Sequence, residues 1–142
     1  MSLQQAALGT WILASVTVDG PQKAEPYGRA PKGIMMLGAD GHFSVIIARE
    51  GVPKFAGNNR MSGTDAENKA AVQGSLAYFG SYTIDDEAGT ISVKIAGSTF
   101  PNFEGQTQLR ELSFSDDALI VTNPTPSGGG GVARQMWKRA GG

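Results

Sequence analysis

The sequence contains no cysteine and a single histidine, His42. These two shortages exclude disulfides, thiolate metal ligands, a cysteine nucleophile, a multi-histidine metal site and any two-histidine proton relay. Basic runs are missing as well: among 12 lysines and arginines only Lys138 and Arg139 are adjacent, and the formal net charge is -1. No stripe exists to neutralise a series of phosphates, so nucleic acid is not an expected partner. No apolar stretch reaches the ~18 to 20 residues that a membrane helix requires, so no membrane partner is expected either. The longest apolar run, Ala6 to Val18, has no lysine or arginine before it and no small-residue cleavage pattern after it. It reads as a first strand and not as a secretory signal, which makes the cytoplasm the expected compartment. Nothing in the residue inventory calls for a metal or a cofactor.

What is present is ordinary globular composition over 142 residues, 40% hydrophobic and 18% charged, which predicts one domain spanning residues 1–142 with one core. Thr10 to Val18 is rich in β-branched residues and closes on Asp19-Gly20-Pro21, a strand followed by a turn. Three prolines between Pro21 and Pro31 forbid regular structure, because each removes a donor from a β ladder. Gly33 to Leu37 and His42 to Arg49 form a hairpin about Gly38-Ala39-Asp40-Gly41. Thr64 and Glu67 have capping-box spacing, so a helix is expected from Asp65 to about Leu76. Its apolar stripe is weak, which suits a lid over a barrel mouth better than a core element.

The rest alternates strand and turn: Gly80 to Ile84, Thr90 to Ala96, Gln106 to Phe114, Leu119 to Thr122 and Val132 to Arg139. Ile91, Val93 and Ile95 show the period of two that marks a half-buried strand. Many short strands joined by hairpin turns, with one helix, fit a barrel or a sandwich; eight strands favour closure around a small-ligand cavity. The expected fold is therefore all-β: an eight-stranded antiparallel up-and-down barrel with one short helix between strands three and four. The tetraglycine Gly128 to Gly131 is followed by a strand and not a helix, so it reads as a hairpin loop and not a phosphate cradle.

Gly9-Thr10-Trp11 on the first strand and Met136-Trp137-Lys138-Arg139 on the last resemble the paired G-x-W and arginine of the calycin superfamily, lipocalins and fatty-acid-binding proteins included. Further segments, Gly33 to Leu37, Asp40 to Ser44, Leu76 to Tyr82, Gly97 to Phe103 and Gln108 to Arg110, are similar to the lipocalin-like domain family of bacteria and fungi, in order along nearly the whole chain. The resemblance implies a barrel with an internal pocket, closed at one end by Trp11 and Arg139. It implies little about activity, since a fold hosts many functions.

Candidate site residues come from the chain itself. Phe100 and Phe103 flank Pro101 and Asn102 where a polar loop would be ordinary; they either pack as core beneath the helix or wall a pocket, with Asn102 as an orienting group. Tyr82 is in register with Gly80 and Ile84 and is assigned inward, as core or as a ligand-orienting hydroxyl; Tyr78 lies four residues earlier. On strand six Gln108, Arg110, Leu112 and Phe114 share a face, and the last two mark it as inward. Arg110 must then meet a ligand oxygen or a protein carboxylate, unless the register is shifted by one. His42 and the acidic clusters at Asp85-Asp86-Glu87 and Asp116-Asp117 sit at turns, where solvated charges are ordinary. The expected function is binding of a small, largely apolar molecule with a polar end at Arg110, Gln108, Tyr82, Phe100, Phe103, Asn102 and Tyr78. The alternative is a small barrel enzyme performing an isomerisation or cyclisation in the same cavity.

Overall fold

A computed structural model describes residues 2–141. Eight antiparallel strands each pair with the next, and the last returns to the first: β1 (Gly9–Asp19), β2 (Lys32–Leu37), β3 (His42–Ala48), β4 (Ser75–Asp85), β5 (Thr90–Ser98), β6 (Thr107–Ser115), β7 (Ala118–Asn123) and β8 (Val132–Arg139). Closure satisfies the hydrogen-bonding edges of β1 and β8, which would otherwise be exposed. Helix α2 (Asp65–Gln73) lies between β3 and β4, as expected, with the Thr64–Glu67 capping box formed. No helix among the described residues is long and apolar enough to cross a membrane.

Burial alternates along the strands, with one instructive phase change. On β1 the inward residues are Trp11 and Leu13, then Val16 and Val18. A bulge between Leu13 and Ser15 inserts one residue against β8 and shifts the inward set from odd to even positions. A second irregularity lies between Phe79 and Gly80, where β4 and β5 approach closely. A methyl carbon at Gly80 would lie 1.9 Å from the Lys94 carbonyl oxygen, so only glycine fits there.

Two boundaries differ from the sequence reading. The start of the first apolar run is helical: α1 (Leu3–Ala7) is capped by Ser2 and Gln5 and precedes the strand. Also, α2 stops at Gln73 with Gly74 as its cap, and β4 begins at Ser75 instead of Gly80, because Ser75 to Ser81 pair with β3 throughout.

The end of the barrel formed by the β2–β3, β4–β5 and β6–β7 turns is sealed. Trp11 is 1% exposed, Ala7 is fully buried, and the Trp11 Nε1–H donates to the Ala7 carbonyl at 2.8 Å. Arg139, opposite Trp11 in the β1–β8 register, lies over the indole at 4.1 Å and donates to the carbonyls of Leu8 (2.8 Å) and Ala6. The tryptophan–arginine closure expected from the two terminal strands is thus present. Trp137 and Leu119 complete the fully buried layer above it. Each such large side chain removed from water contributes roughly 1.5–3 kcal/mol.

Candidate functional site

At the opposite end the barrel encloses a cavity of about 1010 Å³. The β1–β2 loop, α2, the turn after β5 and the glycine-rich β7–β8 loop surround its mouth, each contributing lining residues. No side chain of α2 is buried, in keeping with its weak apolar stripe: it stands at the mouth and fills no core. The walls include Val16, Ile47 and Leu76, and an aromatic series crosses one side. Phe100 meets Phe103 at 5.2 Å, Phe103 meets Tyr78 at 5.7 Å, and Tyr78 meets Phe43 at 5.8 Å, all edge-on. Phe103 is both core and cavity wall, and half-buried Phe100 packs against that core and lines the cavity, whereas Asn102 does not reach it.

The floor is polar. Arg110 is 4% exposed and borders both the large cavity and a second one of about 20 Å³ beneath it, which has room for about one water molecule. One Arg110 Nη donates to the Gln108 amide oxygen, and the guanidinium lies 5.6 Å from the Tyr78 ring centre. Its Nε has no hydrogen-bond partner. Among the described residues the charge pairs are Asp19 with Arg134 and Asp40 with His42, so Arg110 has no carboxylate partner. No aspartate or glutamate lines either cavity. Of the fates open to an inward arginine, the internal salt bridge and the outward register are both absent.

The residues named from sequence divide into three groups. Arg110, Tyr78, Phe100 and Phe103 meet at the large cavity. Gln108 is half-buried and holds Arg110, while its own amide donates to Gln106 at 2.8 Å. Tyr82 and Asn102 do not join them. Tyr82 is inward but near the sealed end, its hydroxyl committed to the Gly38 carbonyl at 2.6 Å, and burial raises its pKa. Asn102 is exposed on the short turn Pro101–Phe103. His42 is 72% exposed and pairs with Asp40 at 3.3 Å; the His42 amide holds the Asp40 carboxyl below the usual carboxylate range.

Sequence reasoning missed Tyr27, Gln135 and Asn123. Tyr27 comes from the proline-bearing loop, and its phenol pKa is raised first by burial and then by the neighbouring Tyr78. Nothing in a polar loop announces that one residue folds inward. Gln135 borders both cavities and accepts from the Trp137 indole at 3.1 Å. It was legible, because Ala133, Gln135 and Trp137 alternate on one face of β8. Buried Asn123 accepts from the Thr125 amide at 3.0 Å and ends β7 at the mouth.

Comparison with known proteins gives two findings. A family model described as a lipocalin-like domain matches residues 8–140. The chain is also 33% identical, over 89 residues, to a 4'-hydroxy-3'-methoxypropiophenone carrier protein of Aspergillus oryzae; the match covers 58% of this chain and 80% of that relative.

Proposed function

This chain belongs to the lipocalin-like domain family, and on that premise we propose that its barrel binds and carries one small, largely apolar molecule whose polar end reaches Arg110. The observation that carries the reading is an apolar-walled cavity of about 1010 Å³ with a buried guanidinium at its floor whose Nε is unpaired. Such a combination, a large apolar enclosure with a few convergent polar groups, is how small-molecule sites are built. The relative supports it by being named a carrier, and the name describes an aromatic ring with a hydroxyl and an adjacent methoxy group at one end and a ketone at the other. A flat ring suits the edge-on series Phe100, Phe103 and Tyr78, which offers aromatic contact on one wall. Oxygens at one end of the ligand suit Arg110, with Tyr78, Gln135 and Tyr27 as further polar neighbours.

Isomerisation or cyclisation in the same cavity would rest on positioning, with the tyrosines and arginines as the ionisable groups in its lining. No specific observation favours that reading over carriage.

The test is isothermal titration of the purified protein with 4'-hydroxy-3'-methoxypropiophenone, together with native mass spectrometry of freshly purified material. Saturable binding at one molecule per barrel, or one co-purified small molecule per chain, is expected. A chain that arrives empty and binds neither this ketone nor other aryl or alkyl compounds overturns the reading.

A further inference from the structure

We propose that the ligand is held as an anion, so that the site selects organic acids, carboxylates or acidified phenols, over neutral molecules of the same shape. The inference rests on the carrier reading above and adds the charge state of the cargo. It starts from the fact that a guanidinium cannot lose its proton in a protein, so its charge must be compensated where it stands. Two other arginines of the chain show what compensation looks like. Arg134 pairs with Asp19, and Arg139 spans two backbone carbonyls at the edge of solvent. Arg110 is buried, yet receives only the amide oxygen of Gln108 and the ring face of Tyr78, both uncharged.

A water in the small cavity that Arg110 borders would not neutralise its charge. The lining adds no negative side chain, and a second arginine, Arg60, stands at the mouth with the same sign. The charged side chains that line the space are thus both cations, and Arg110 at the floor lies in surroundings that screen it less than water does, away from the Glu25 and Glu67 carboxylates near the rim. For a weak acid in this space the apolar walls favour the neutral form and the Arg110 charge the ionised one; direct contact with the guanidinium is the stronger effect, so the acid's pKa falls on binding. An oxyanion against the guanidinium of Arg110 would supply the missing charge.

The experiment uses the same hydroxyaryl ketone, whose para-acyl phenol changes its absorption when it ionises. It is titrated into the intact protein about one pH unit below its free pKa, where roughly a tenth is ionised. Its O-methyl ether, which cannot ionise, is titrated in parallel, and an aromatic carboxylate is compared with its methyl ester. The expected result is the phenolate spectrum for bound ketone, with ether and ester binding at least about tenfold more weakly than their acids. Arg110→Met should abolish both the spectral change and the preference, and Arg110→Lys should restore part of each. If the wild-type protein binds the ketone with the neutral spectrum and does not distinguish acid from ether or ester, the anion assignment is wrong and the carrier reading stands. If no member of either pair binds, both fall. The wild-type comparison decides the matter even if a variant does not fold.

Discussion

The two ends of the barrel each contain a buried or ring-covering arginine, and the difference between them separates structure from function. At the sealed end Arg139 covers Trp11 and donates to the Ala6 and Leu8 carbonyls, while the indole donates to Ala7. The polar groups there are matched by the protein itself. At the open end Arg110 is more deeply buried but has an unpaired Nε, no carboxylate and a cavity in front of it. Fully satisfied networks rigidify a fold, whereas a partly satisfied one calls for a partner from outside. The sealed end should therefore respond to mutation through stability, and the open end through binding.

The largest expected effect is at the sealed end. Trp11→Ala removes a side chain that is 1% exposed and the ring beneath Arg139, and should cost about 3–5 kcal/mol in denaturant unfolding. Any of the variant that remains folded should keep its ligand affinity. A cost below about 1 kcal/mol would mean that Trp11 is not the keystone of that end.

A smaller effect is expected at the mouth, where two loops touch through glycine. A methyl carbon at Gly20 would lie 1.9 Å from the Gly130 carbonyl oxygen, whereas one at Gly128 meets nothing. Gly20→Ala should force the loops apart, costing about 1–3 kcal/mol and speeding ligand release in stopped-flow measurements. Gly128→Ala should leave both quantities unchanged. Equal behaviour of the two would show that the glycine contact does not shape the mouth.

The smallest effect is a pH dependence shared by both ends. Tyr27 at the open end and Tyr82 near the sealed end both have phenol pKa values raised by burial. A raised folded-state value means that the folded chain keeps protons the unfolded chain has lost. Stability from these groups is thus fully present below the unfolded value near 10 and is lost as pH rises through the folded value. Thermal melts from pH 9 upward should show a decline that Tyr27→Phe and Tyr82→Phe each lessen. A Tyr27→Phe slope identical to wild type would place that phenol in solvent.

Much of this architecture was legible in the chain because strands carry their face in a period of two. Ile91, Val93 and Ile95 and the inward pair Arg110 and Leu112 emerged from that rule, although Phe114, expected on the same face, is exposed; the pairing of Trp11 with Arg139 came from the family resemblance. Depth along the barrel was not legible. Tyr82 and Arg110 are both inward, but only the pairing register puts Tyr82 beside Gly38 and Arg110 beneath the cavity. The β1 bulge left no mark either, since Ala14 and Ser15 suit a regular strand equally well. The Ser2–Gln5 capping box of α1 did carry a signal, masked by the apolar run that follows it. Tyr27 depends on a loop folding back, a tertiary event that no local pattern encodes.

The central claim is tested most directly by Arg110→Met, measured for affinity and for thermal stability in the same preparation. Replacing an uncompensated buried charge by an apolar side chain of similar length should leave the melting temperature unchanged or raise it. Affinity for the hydroxyaryl ketone should fall by about 1.5–3 kcal/mol, the value of a hydrogen bond to a charged group. Unchanged affinity accompanied by a large loss of stability would contradict the account, because Arg110 would then be part of the frame and not the anchor of the cavity.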